Sequence, residues 1–117
     1  MSVSKTVAAD TKTIIRTLTD PARRAKLHVS DKALLPALAA GLTGPKSKGF
    51  VVRPDGLGRF RYTWGNTTVQ FYLVPKPGNK VSVTVTHMKL ADSAMVETRR
   101  LVWREMLISL AAAVSRD

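Results

Sequence analysis

The chain has 117 residues, of which 44% are hydrophobic and 23% charged, and this is the size and composition expected of one globular domain spanning residues 1–117. It contains no cysteine, which excludes disulfides, thiolate zinc sites and cysteine nucleophiles and favours a reducing compartment, the cytoplasm. Nineteen Lys and Arg against eight Asp and Glu give a net charge of +11, which draws the chain toward anionic partners.

The basic residues are spread along the chain, and the densest cluster is only Arg23, Arg24 and Lys26. Proteins that read nucleic-acid sequence usually combine such charge with a recognition helix, an aromatic platform or a zinc knuckle. None of these is apparent, so specific nucleic-acid recognition is not expected, whereas a merely solvating positive surface and non-specific RNA or DNA binding both stay open. No run reaches the ~18 apolar residues of a membrane span, and the first residues lack the apolar segment of a signal peptide.

The N-terminal part predicts a strand followed by a helix. Residues 2–8 alternate between apolar and polar side chains, which suits a half-buried strand. Asp10 can cap a helix over residues 10–18, because its carboxylate can accept the free amide protons of the first turn. That helix buries Ile14, Ile15 and Leu18.

A less regular segment comes next. Pro21 suits the first position of a short helix over residues 21–27. Residues 31–41 favour a helix but contain Pro36, and the pattern fits either a short helix or two broken turns. Residues 42–49 are predicted to be a loop.

The middle of the chain predicts an antiparallel meander, because short connections rich in Gly, Pro and Asn join consecutive strands. The predicted strands cover residues 50–53, 59–64, 67–74 and 80–88. In the last of them Val81, Val83, Val85 and His87 share one side.

A long helix is predicted over residues 91–115, which contain neither Pro nor Gly. Its apolar side is wide enough to lie across a sheet. The residues on that side are Met95, Val96, Val102, Trp103, Met106, Leu107, Leu110, Ala113 and Val114.

Three stretches together resemble a known superfamily: residues 4–24 (SKTVAADTKTIIRTLTDPARR), residues 63–90 with His87 and Leu90, and residues 90–114 with Trp103, Leu107 and Leu110. The chain is similar in these stretches to the SRPBCC (START-like) superfamily, in the branch related to the activator of heat-shock-protein ATPase. The resemblance implies an α+β helix-grip fold, an antiparallel sheet of five or six strands around the long C-terminal helix with two short N-terminal helices. Residues 26–58 depart from the family pattern.

The resemblance also implies an apolar cavity between the sheet and the C-terminal helix. Members of the superfamily bind lipids, sterols, polyketides or hydrophobic hormones there, and the heat-shock-associated members bind and stimulate a chaperone. We therefore expect a small hydrophobic ligand, which can carry a negative charge, as the partner. The expected lining comprises Val85, Phe71, His87, Arg99, Val102, Trp103, Met106, Leu110, Tyr62 and Tyr72.

Two of these residues have competing interpretations. Arg99 interrupts the apolar side of the helix, and either snorkels to water or pairs with one carboxylate, or holds an anionic head group in the cavity. His87 is either a core imidazole bonded to backbone or a hydroxyl, or a ligand-orienting group together with Arg99 and Tyr62 or Tyr72.

A second functional hypothesis is a protein-interaction or chaperone-regulatory module whose basic surface meets an acidic partner. Leu101 and Ile108 fall on the back of the long helix, where they either pack under the early helices or mark a homodimer seam, so monomer and homodimer both stay open. No nucleotide, hydrolase or metalloprotease motif is present. We therefore predict no catalytic residue, no metal and no cofactor; a cyclase or hydrolase would have only His87, Arg99 and the two tyrosines to draw on.

Overall fold

A computed structural model describes residues 1–45 and 47–114 of the chain. The predicted end of the last helix at Ser115 lies outside the described residues. The elements in chain order are β1 (Ser2–Val7), α1 (Thr11–Thr19), α2 (Pro21–Arg24), α3 (Leu34–Thr43), β2 (Val51–Val52), β3 (Gly58–Trp64), β4 (Thr67–Lys76), β5 (Lys80–Met88) and α4 (Ser93–Val114).

The five strands form one antiparallel sheet in the order β1-β5-β4-β3-β2. The predicted meander is confirmed for β2 to β5. The N-terminal strand joins it from the other side and pairs with β5, with Ser2 opposite Thr86 and Val7 opposite Val81.

One face of the sheet, here called the inner face, is covered by helices, and the other, the outer face, is not. Val81, Val83, Val85 and His87 of β5 are buried on the inner face, as their alternation predicts. The outer face carries hydroxyl side chains that bond across the strands, such as Ser2 to Thr86 at 2.9 Å and Ser4 to Thr84 at 2.8 Å between oxygens.

An aspartate caps each of the first two helices, and for Asp10 this confirms the prediction. The Asp10 carboxylate accepts the Thr13 N–H at 2.8 Å and caps α1, and the Asp20 carboxylate accepts the Ala22 N–H at 3.0 Å and caps α2. The second helix ends at Arg24, three residues before the predicted boundary. Three side chains of α1 were predicted to be buried. Ile14 and Leu18 are buried, whereas Ile15 is half-buried.

The third helix corrects the prediction for residues 31–49. It runs unbroken from Leu34 to Thr43, so its last two residues lie in the stretch predicted to be a loop. Pro36 does not break it, because it occupies the first turn, where backbone N–H groups have no partner within a helix. Leu34 and Leu38 are fully buried, and α3 packs against β3.

The C-terminal helix packs its apolar side on the inner face. The Asp92 carboxylate accepts the Met95 N–H at 2.8 Å and caps the first turn. The side chains that α4 buries were all predicted, while Met95, Val96 and Ala113 are half-buried. The buried residues are Val102, Trp103, Met106, Leu107, Leu110 and Val114.

The helices divide the inner face among themselves. The C-terminal helix lies against β1 and β5, α3 lies against β3, and α1 contacts α4 and β4. This is the predicted α+β arrangement. Among the described residues, no helix is both long and apolar enough to cross a lipid bilayer.

Candidate functional site

A chain of hydrogen bonds runs through His87 at the end of the inner face. The indole N–H of Trp103 donates to His87 Nδ1 at 3.0 Å, and His87 Nε2 lies 2.7 Å from Thr67 Oγ1. The Thr67 hydroxyl in turn donates to the carbonyl of Trp64 at 2.6 Å. Because an indole only donates, Nδ1 must accept, and Nε2 therefore carries the proton and donates to Thr67.

His87 is consequently a neutral imidazole with both nitrogens engaged. Burial, chiefly, and the nearby Arg99 and N-terminal charges lower the pKa of His87 to about 4. These partners agree with the first interpretation of His87, a core imidazole that is hydrogen-bonded to a hydroxyl.

Arg99 is also partnered within the described chain. Its guanidinium donates to the Asp31 carboxylate at 2.7 Å, and its carbon Cζ lies 4.2 Å from the centre of the Trp64 ring. The ion pair is partly shielded, since the side chains of Arg99 and Asp31 are 20% and 27% exposed. Arg99 thus has the single carboxylate partner that one of its two interpretations expected, and a cation–π contact besides.

The other predicted lining residues beneath α4 pack on one another. The rings of Phe71 and Trp103 meet edge to face with centroids 5.7 Å apart. Phe71, Val85, Trp103, Met106 and Leu110 are 0% exposed and Val102 is 9% exposed. Side chains thus occupy the space between α4 and the middle of the sheet.

Tyr72 does not belong to this lining. It lies on the outer face, where its hydroxyl accepts a hydrogen bond from the Gln70 amide at 2.8 Å. Successive side chains of a strand point to opposite faces, so Tyr72 and its neighbour Phe71 cannot both face inward.

Tyr62 is on the inner face but differs from His87 and Arg99 in having no polar partner. It is 5% exposed and stacks on Phe60, with ring centroids 5.3 Å apart. Among the described residues, its hydroxyl is the one buried side-chain polar atom without a hydrogen bond. Burial alone raises the pKa of this phenol above its usual range, so it is protonated and able to donate.

A surface pocket bordered by Tyr62 lies between α3 and β3. Its volume is about 440 Å³. The backbone of α3 approaches Tyr62 closely at Gly41, where an added Cβ would lie 2.6 Å from the Tyr62 Cβ. The lining residues are Ala40, Gly41, Gly44, Pro45, Ser47, Arg61, Tyr62 and Thr63.

Several residues that organise this region were not among the predicted site residues. Asp31 was recognisable as a residue at a helix boundary, and its carboxylate does accept the Ala33 N–H at 2.9 Å, but nothing local marks it as the partner of Arg99. Thr67 and Gly41 stand out only once the strands are paired and α3 is packed. Within the described residues there is no group of three or more His, Cys, Asp or Glu side chains placed to hold a metal ion.

The five-stranded antiparallel sheet and the long helix that lies across it define a small α+β domain. No protein-family model matches the chain, and no curated protein does.

Solved structures match it over nearly its whole length. A protein from Chromobacterium violaceum is 19% identical with a TM-score of 0.62, over 100% of this chain and 98% of that one. A protein from Staphylococcus saprophyticus is 12% identical with a TM-score of 0.60, over 98% and 92% of the two chains. The AHSA1-like protein from Aeromonas hydrophila is 13% identical with a TM-score of 0.54, over 99% and 93%. The chain therefore has the helix-grip fold, and identities this low carry the fold alone.

Proposed function

We propose that this helix-grip domain binds a small, mainly apolar ligand whose polar group accepts a hydrogen bond from Tyr62. The observation that carries the proposal is the unpartnered Tyr62 hydroxyl. Leaving such a group buried without a partner costs about 1–3 kcal/mol. A ligand that supplies the missing acceptor recovers that free energy on binding.

The pocket beside α3 supports this position for the ligand. Its volume of about 440 Å³ lies within the range of ~300–1,000 Å³ for small-molecule sites. Ala40, Pro45 and Tyr62 contribute apolar lining, and the exposed Arg61 also borders the pocket. A guanidinium there favours a ligand with a carboxylate or phosphate.

The alternative position beneath α4 has less in its favour. His87 and Arg99, the groups expected to orient a ligand there, already have partners in Trp103, Thr67 and Asp31. A ligand between Trp103 and the sheet has to displace fully buried side chains, which costs packing free energy. The predicted lining residues that are buried beneath α4 accordingly form part of the hydrophobic core.

The test is native mass spectrometry of the gently purified protein, compared with its denatured mass, for the wild type and Tyr62→Phe. We expect the wild type to carry extra mass at near-unit stoichiometry and Tyr62→Phe to carry much less. Without ligand, Tyr62→Phe should be as stable as the wild type or more stable by about 1 kcal/mol, because it removes an unpaired buried hydroxyl.

Tyr72→Phe is the matched control, because it removes the same hydroxyl from the outer face and should leave the bound mass unchanged. Equal bound mass in wild type and Tyr62→Phe contradicts the proposed position. A bare native mass, with no thermal stabilisation by straight-chain carboxylic acids of graded length, contradicts the ligand-binding function. That outcome favours the second candidate, a protein-interaction module, for which the exposed Leu101 and Ile108 beside Arg104 offer a surface on α4.

The proposed setting is the cytoplasm, since a chain without cysteine suits a reducing compartment.

A further inference from the structure

The outer face of the sheet is a second surface, on the opposite side from α4. Its rows run across the strands through paired residues, with Arg59 opposite Tyr72 and Arg61 opposite Gln70. Directly opposed residues have Cβ atoms about 5 Å apart. The basic, aromatic and amide side chains therefore form one continuous patch next to the hydroxyls of β5 and β1.

This patch carries positive charge that nothing in the described chain neutralises. The five strands contain no Asp or Glu. Lys48, Arg59 and Arg61 are exposed and form no ion pair with any described residue, whereas the one acid between β2 and β3, Asp55, pairs with Arg53 at 3.1 Å. The other described acids lie on α4, at the N-terminal caps of α1, α2 and α4, and, in the case of Asp31, just before α3.

A pocket of about 350 Å³ lies within the patch. The loop before β2 forms one wall, where Gly49 has φ = +60° and its N–H donates to Ser47 Oγ at 3.1 Å. Lys48 on this loop faces the pocket together with Arg59, Arg61 and Gln70. Arg59 and Arg61 are two residues apart on β3, which separates them by about 7 Å along the strand.

We propose that the outer face binds single-stranded nucleic acid without sequence specificity, through phosphates held by Lys48, Arg59 and Arg61. Guanidinium and ammonium groups supply charge-assisted hydrogen bonds to phosphate oxygens. Tyr72, half-buried and opposite Arg59, places an aromatic ring beside these charges, where a base can stack. The ring adds a stacking surface that the binding of phosphates or carboxylates alone does not require.

The geometry favours a single strand over a duplex. A duplex groove is read by a projecting helix or a two-stranded ribbon, and no such element rises from the described part of the outer face. A single strand can lie along an open sheet, with its backbone on the basic residues and its bases against the sheet.

The test is fluorescence anisotropy with a labelled oligouridylate of about 20 nucleotides over a series of salt concentrations. The variant Lys48→Gln/Arg59→Gln removes two charges from the pocket but leaves Arg61, which also borders the Tyr62 pocket. We expect the wild type to bind with log K falling linearly with log salt. The variant should bind about tenfold more weakly at low salt, with the magnitude of the slope reduced by about 1.4.

Lys12→Gln/Arg104→Gln is the matched control, because it removes the same two residue types from exposed positions on α1 and α4. It should change affinity by no more than about twofold. Equal losses in the two variants overturn the proposal, since binding then follows net charge rather than a site. No binding by the wild type at low salt also overturns it.

Two further comparisons separate nucleic acid from other polyanions. Tyr72→Leu should weaken the binding of oligouridylate by about tenfold and leave the binding of inorganic polyphosphate unchanged. Competition by polyglutamate as effective as that by unlabelled oligouridylate overturns the proposal in favour of an acidic protein partner. All variants change exposed or half-buried side chains, and circular dichroism verifies that each folds.

Discussion

His87 shows how the surroundings of one side chain set the response of the molecule to acid. Its pKa in the folded chain is about 4, below the ordinary value of 6.5. Between those values the unfolded chain binds a proton that the folded chain does not. The contribution of His87 to the free energy of unfolding is therefore fully present above pH 6.5 and is lost as the pH drops toward 4.

We expect His87 to contribute a loss of about 2–3 kcal/mol between about pH 7.5 and about pH 4.5. Urea unfolding of the wild type and of His87→Gln at both pH values measures it. Carboxylates contribute equally to both proteins, so the difference between the two pH dependences isolates the imidazole. The same loss in both proteins would show that His87 is not held neutral.

The single residues also show what the sequence alone predicts and what it leaves out. The sequence left two interpretations each for His87 and Arg99, because it does not show which side chains they contact. Those partners, Thr67 and Asp31, lie 20 and 68 residues away along the chain. Strand alternation, by contrast, is local, and it excludes Tyr72 from a lining that contains Phe71, although the predicted lining included both. The unpaired hydroxyl of Tyr62 has no local signal, because it depends on what every neighbouring side chain fails to offer.

At the scale of elements, α3 is held against β3 by a contact that only glycine permits. An added Cβ at Gly41 would lie 2.6 Å from the Cβ and 2.7 Å from the Cγ of Tyr62. These atoms are close to the backbone of a buried strand and cannot swing away. The cost of that clash exceeds the helix propensity that alanine adds, which is about 1 kcal/mol.

We expect Gly41→Ala to lower the free energy of unfolding by about 1–3 kcal/mol. Gly44→Ala is the control at the end of the same helix, where the nearest atom to the added Cβ is the Ala40 carbonyl oxygen at 3.4 Å and φ is −61°. It should be neutral or stabilising by up to about 1 kcal/mol. Chemical denaturation measures the free energy of unfolding of both variants. A Gly41→Ala variant more stable than the wild type would contradict the close approach of α3 to Tyr62.

Element boundaries followed from the sequence where patterning and capping agree. β5 and α4 combine a regular period with a clear start, Asp92 in the case of α4, and both were predicted to within two residues at their N-terminal ends. The bounds of α3 were not predicted, because its apolar residues show little periodicity. In addition, Pro36 indicates a helix break unless the helix is known to begin within one turn of it.

At the scale of the whole molecule, charge is divided unevenly along the chain. Residues 32–91 contain nine Lys and Arg but only Asp55 as an acid. The compact chain holds these like charges closer together than the unfolded chain does, so self-repulsion opposes folding. Added salt shortens the range of that repulsion, to about 10 Å at 0.1 M.

We therefore expect the melting temperature to rise by a few degrees between low and moderate sodium chloride concentrations. Thermal unfolding followed by circular dichroism measures the change. Lys48→Gln/Arg59→Gln should show a smaller rise, because it removes repulsion from the acid-free sheet. A melting temperature that falls with salt would mean that ion pairs such as Arg99–Asp31 outweigh the repulsion.

The pairing of β1 with β5 bears on the order in which the molecule assembles. Ser2 bonds to Thr86, 84 positions further along the chain, so the opening strand has no partner until almost the entire sheet has been synthesised. On the ribosome, residues 2–7 must wait unpaired while β2, β3 and β4 emerge. Strand β1 is thus synthesised before the other strands of the sheet but cannot pair until the last of them, β5, has been made.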